Sequence, residues 1–292
     1  MHRLPSFVAL FFLACLTSCA TLRLSYDHAD WLATRAADRY VDLTDDQIRT
    51  FKTGLSDLHA WHRERELPIY AQAFDDAARR LERGMSRADV EWAVTAIRGR
   101  VKVLGQRAAD ELAPVLLSLN DQQLREMEVR FDEDNRKFVR TQLQGDPNRL
   151  LERRADWLSD RIEDWIGRLT PAQRTRVRDL VAAFPDMPRW RLEERKRRQG
   201  NLLTLVRSAR GQAGFETKVQ AFLMDPDAGR NDASRQTMAR WEASFVEMLV
   251  DLDHTLSPEQ RRTAVKRLRR YAADFRALSA EAPFIQAGAT TR

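Results

Sequence analysis

Between His59 and Tyr70 the chain crowds together most of the side chains that could do chemistry: His59, Trp61, His62, Arg63, Glu66 and Tyr70. His59, His62 and Glu66 follow one another at three and four residues, so an α-helix puts them on one face. Two imidazoles and a carboxylate on one face make a weak metal candidate, with metal-dependent hydrolysis as the chemistry. The arrangement is not His-Glu-x-x-His, and no third histidine lies nearby. The competing reading puts His62 on an apolar stripe as a hydrogen-bonded core residue, with Arg63 and Glu66 in interhelix ion pairs. Pro68 is expected to kink or interrupt the helix, because it removes a backbone donor.

Other chemistry has little support. The chain has no Gly-x-Ser-x-Gly, no glycine-rich phosphate loop and no persuasive Ser-x-x-Lys. Asp75-Asp76 and Glu193-Glu194 are neighbours that point different ways on a helix. The only cysteines are Cys15 and Cys19. No catalytic residue, resident metal or cofactor is assigned, and the expectation is a non-enzymatic protein.

Both cysteines fall in an export signal. Arg3 gives a basic start, Phe7 to Leu16 an apolar run too short to span a bilayer, and Leu16-Thr17-Ser18-Cys19 a lipobox. Residues 1–18 then read as a leader and Cys19 as the lipidated start of the mature chain. Ala20 follows, not Asp, which by resemblance to known sorting behaviour favours the outer membrane. The expected place is the periplasmic face of the outer membrane, where each buried acyl methylene contributes about 0.8 kcal/mol. With Cys15 gone and Cys19 acylated, no thiol remains for a disulfide, so the core alone must hold the fold.

The chain has 292 residues, 43% apolar and 32% charged, a balance suited to amphipathic helices. Its 49 basic and 43 acidic residues give a pI near 9.7. In an exported protein this points away from nucleic acid and toward anionic envelope components or unfolded acidic chains. The basic run Arg189 to Arg198 places Arg191, Arg195 and Arg198 at helical spacing, diluted by Glu193 and Glu194. It reads first as a solvated face.

Helices must position all of this. Apolar residues recur at three and four in Ile48-Phe51-Leu55-Leu58-His62 and in Val90-Val94-Ile97-Val101-Leu104-Ala108-Leu112. The same spacing runs through Leu124 to Phe138, Met238 to Leu252 and Val265 to Phe275, so these stripes are expected to face the core. Breaks are expected at Gly84, Pro114, Gly145 to Pro147, Pro185 to Pro188, Gly211 to Gly214 and Asp225-Pro226.

One element starts helices four times. Leu43-Thr44-x-x-Gln47, Leu119-Asn120-x-x-Gln123, Leu169-Thr170-x-x-Gln173 and Leu256-Ser257-x-x-Gln260 each pair an N-cap with a glutamine at N3, a capping box. Pro171 and Pro258 stand at N1, where a missing N–H costs nothing. Met85 to Val90 is a weaker fifth case. The leucine before each cap is placed to staple onto its helix.

The chain also repeats itself. Ala29-Asp30-Trp31-Leu32 runs on to Leu43-Thr44, and Ala155-Asp156-Trp157-Leu158 to Leu169-Thr170, at the same separation. The expected fold is an all-α multi-helix bundle of two tandem pseudo-repeats, over 19–146 and 147–280, with a flexible tail over 281–292. Trp31 and Trp157 are both expected to be buried against the helix that their cap begins.

Paired Leu-Thr-x-x-Gln elements in an exported helical chain resemble the Spy and CpxP periplasmic proteins. That resemblance implies a cradle-shaped helical protein and, for Spy, ATP-independent chaperone action. The lipobox, Trp31-Leu32, Tyr40 to Gln47, and Trp61-His62-Arg63 with Glu66-Leu67-Pro68 and Tyr70 resemble a family of uncharacterised proteobacterial lipoproteins, which implies no known activity. The leading expectation is an anchored protein that binds envelope clients through a groove between the repeats, in a chaperone-like way. The alternatives are a tether for one fixed partner and the hydrolase at His59, His62 and Glu66.

Overall fold

The computed structural model describes residues 26, 28–225 and 227–280. The leader, Cys19 and the tail over 281–292 lie outside the described residues. In chain order the helices are α1 (Ala29–Asp38), α2 (Asp45–Trp61), α3 (Leu67–Glu82), α4 (Arg87–Ser118), α5 (Asp121–Phe138), α6 (Pro147–Ile166), α7 (Pro171–Ala183), α8 (Met187–Ala209), α9 (Phe215–Met224), α10 (Asp232–His254) and α11 (Pro258–Ala280). There is no strand among the described residues, so the all-α multi-helix bundle stands. None of these helices is long and apolar enough to cross a membrane.

Two helices run on through π turns, at His62–Glu66 between α2 and α3, and at Val139–Leu143 after α5. The first is the form the Pro68 disruption takes. Leu67 N–H donates to the His62 carbonyl five residues back, and the chain continues straight into α3. Pro114, expected to break a helix, lies inside α4 instead. Its neighbours Ala113 and Val115 are buried, and that packing offsets the one backbone bond lost.

The helices pack as antiparallel pairs. Arg269 meets Glu82 at 2.8 Å and Arg276 meets Asp75, which sets α11 antiparallel to α3. Gln47 against Ser118 and Gly54 against Glu111 set α2 antiparallel to α4. A first core gathers Leu43, Phe51, Ala109, Leu119, Leu124 and Met127 with Val206 and Phe215. A second joins Ala78 and Leu81 to Ile162, Leu169, Val177 and Val265. The division at 146/147 falls at the turn before α6, yet both cores draw on helices from either side of it. Asp253 knots the pieces: it accepts from Met85 N–H at 3.0 Å and from Arg261 at 2.7 Å, while Arg261 also donates to the Leu81 carbonyl.

Two expectations about the core need correcting. Trp31 and Trp157 are 57% and 39% exposed rather than buried. The core face of α6 is Ala155, Ser159, Ile162 and Ile166, and a residue two beyond Ala155 points about 200° around the helix. The matched tryptophans therefore mark no shared core. Ile97, placed on the core stripe of α4, is also exposed. That helix has 32 residues, about 48 Å. It is buried near Val90 and again from Ala109 to Val115, and its middle bridges the two ends.

Candidate functional site

The capping motifs do more than start helices. Thr44, Asn120 and Thr170 each accept from the N3 backbone N–H, and each N3 glutamine returns a bond to the cap's N–H. Ser257 and Gln260 do the same at 3.0 and 3.1 Å, and Ser86 pairs likewise with Asp89. Capping occupies only the glutamine Oε1, so each buried Nε2 still carries donors that need acceptors. The motifs supply them to one another. Gln123 Nε2 donates to Gln47 Oε1 at 2.7 Å and to the Asp42 carbonyl at 2.7 Å. Gln47 Nε2 donates to Gln123 Oε1 at 3.2 Å and to the Ser118 carbonyl at 3.0 Å. Gln173 and Gln260 repeat the exchange at 3.0 and 2.9 Å, with the Thr255 and Arg168 carbonyls as the further acceptors. In every case the carbonyl lies two residues before the partner's cap. The four motifs thus form two buried locks, one joining the starts of α2 and α5, the other those of α7 and α11. Sequence reasoning found the caps and missed the locks; the spare Nε2 donors were the signal.

The cluster around His62 is interior. His62 is 4% exposed and Glu66 2%, and Arg63 is buried with them in the first π turn. His62 Nδ1 and the Tyr26 hydroxyl are hydrogen-bonded at 3.0 Å. The His59 ring lies 4.4 Å from that of Tyr26, and Arg63 sits over the Tyr26 ring at 5.3 Å. Glu66 meets Arg100 at 3.3 Å and holds the Tyr70 hydroxyl. Burial, helped by the neighbouring His59, pulls the His62 pKa down to about 3. Such an imidazole stays neutral near pH 7 and is poorly matched to proton transfer there. Burial pushes the Glu66 carboxyl up, against the opposing pull of Arg100 and Tyr70. Among the described residues no group of three or more His, Cys, Asp or Glu side chains could hold a metal ion. His59, His62 and Glu66, the weak metal candidates, are thus not gathered into such a group; His59 lies in the last turn of α2, and His62 and Glu66 at the two ends of the π turn.

Residues 39–235 match a family of unknown function, DUF6279. The chain belongs to DUF6279. No curated protein and no solved structure matches it. The matched span takes in the first glutamine lock whole and stops short of Gln260.

Among the grooves formed by the described residues of this DUF6279 chain, two are lined by candidate binding side chains. One, of about 370 Å³, lies between α3 and α4 and is lined by Pro68, Ile69, Ala73 and Trp92, with Gln72 and Asp76 as its polar members. Ile69 is 43% exposed, and Arg80 covers the Trp92 ring at 4.3 Å. Both helices precede residue 147, so this groove is not one between the repeats. The other lies where the second π turn meets α8. The basic run on α8 does not act as one face: Arg195 sits over Phe138 and Arg198 over Phe222. Glu194 is buried among Arg197, Arg230 and Ser234. Burial alone would raise its carboxyl, but these three donors bring it down to about 2.

Proposed function

We propose that this chain is a lipid-anchored, non-enzymatic protein at the periplasmic face of the outer membrane that binds apolar segments of envelope proteins in a chaperone-like way. The observation that carries the binding is the groove of Pro68, Ile69, Ala73 and Trp92, an apolar floor left open beside polar Gln72 and Asp76. Burying a side chain such as Ile69 against a client contributes about 1.5–3 kcal/mol. A few such contacts suit weak, reversible capture of varied clients. The anchoring rests on Leu16-Thr17-Ser18-Cys19. The buried His62 cluster and the glutamine locks serve in this reading as scaffold.

The test is a photo-reactive amino acid at Ile69, with Glu152, an exposed position on α6 outside the groove, as control. Crosslinking is read in intact cells. Crosslinks to several envelope proteins from residue 69, absent from residue 152, are the expected result. A single strong adduct would replace chaperone-like binding by a fixed tether, and equal labelling at both positions would remove the groove from the account.

A further inference from the structure

We propose that the groove between α5, its π turn and α8 binds a sugar phosphate. The groove measures about 490 Å³, within the range of small-molecule sites, and Arg136, Arg140 and Lys196 line it with Asp132, Asn135 and Gln144. Three cations thus face one carboxylate. None of these four charged side chains forms an ion pair among the described residues, although salt bridges are frequent elsewhere on the surface. The groove takes in the π turn that ends the α5 helix, where the dipole adds about half a negative charge, too little to offset the excess of cations. An anion is the complement, and guanidinium groups favour planar or tetrahedral oxyanions such as phosphate.

Asn135 specifies more than charge. It is 5% exposed, its Nδ2 donates to Gln199 Oε1 at 2.8 Å, and its Oδ1 has no hydrogen-bond partner. A buried acceptor left open calls for a donor. Inorganic phosphate brings mainly acceptors, whereas a sugar phosphate brings a phosphoryl group for the cations and hydroxyls for Asn135, Asp132 and Gln144. Such a group reaches the site as a free sugar phosphate or as the phosphorylated sugar headgroup of a glycolipid. The site is separate from Ile69 and does not rest on client binding.

Calorimetry with the purified full chain tests this, using glucose 6-phosphate, inorganic phosphate and glucose as probes. Glucose 6-phosphate should bind most tightly and more weakly as salt rises, while glucose alone should not bind. Arg140→Gln should weaken binding about tenfold. Gln144→Glu, an exposed change of the same shape, should do so with an unchanged melting temperature. Retention on phosphatidylcholine vesicles carrying lipid A, competed by glucose 6-phosphate, assigns the headgroup source. Soluble binding without retention assigns the free one. The proposal is overturned by no binding of glucose 6-phosphate at millimolar concentration, by inorganic phosphate binding equally well, or by a Gln144→Glu chain that binds like wild type.

Discussion

Gln47 and Gln123 exchange amide hydrogen bonds in both directions although 76 residues separate them. Each amide also caps its own helix and reaches a carbonyl beside its partner's cap. All its hydrogen-bonding capacity is used, which is what permits two polar side chains inside a core. The same exchange between Gln173 and Gln260 pins the other helix pair.

The locks should show coupling. Thr170→Ala removes a cap alone and should cost about 1 kcal/mol. Gln173→Leu also strands Gln260, and an unsatisfied buried group adds about 1–3 kcal/mol. Gln173→Leu with Gln260→Leu should then cost clearly less than the two single changes summed. Urea titrations of wild type, Thr170→Ala, the two single glutamine changes and the double change measure this. Strict additivity would mean that the two amides do not act as a unit.

Two helical glycines should respond in opposite directions to alanine. A Cβ at Gly54 would lie 3.0–3.1 Å from Glu111 Cβ, its carbonyl oxygen and Oε2. Gly54→Ala should cost about 1–3 kcal/mol by forcing α2 off α4. Gly99 has nothing within 4 Å of such an atom, so Gly99→Ala should stabilise by about 0.5–1 kcal/mol. Thermal melts that move the same way for both would contradict the close α2–α4 contact.

His62 sets a pH dependence. Its folded pKa, about 3, lies below its unfolded value of 6.5. Between those values the unfolded state holds more protons. The stability His62 confers is therefore complete above pH 6.5 and lost as pH falls toward 3, at up to about 1.4 kcal/mol per unit. Glu66 runs the other way, since its raised carboxyl pKa relieves a buried charge as pH falls. In a Glu66→Gln background, the urea midpoint should fall from pH 7 to pH 5, and His62→Gln should flatten that fall.

The anchor predicts a simple readout. Wild type should take up a radioactive fatty acid, and Cys19→Ser should not, leaving an unprocessed or mislocalised chain. Wild type without label would remove the lipoprotein reading and leave the groove untouched.

What was legible in the sequence was local. A capping box depends on residues three apart, so Thr44 with Gln47 and Thr170 with Gln173 declared their bonds before any packing was known. The locks depend on which helix starts meet in space, and only the spare Nε2 donors hinted at them. Trp31 and Trp157 misled because a repeated word does not fix a helix face; its packed neighbours do. Pro68 announces a disruption, but its form, a π turn with His62 and Glu66 buried against Tyr26 and Arg100, involves partners 36 and 34 residues away that local spacing does not reveal.

The most direct test of the central claim is whether the purified chain keeps a chemically unfolded envelope protein from aggregating, and whether Ile69→Ser impairs it. Light scattering at equimolar ratio should show suppression by wild type and a clear loss for Ile69→Ser at an unchanged melting temperature. Suppression that is absent in wild type, or identical in Ile69→Ser, would contradict binding of apolar clients through the α3–α4 groove.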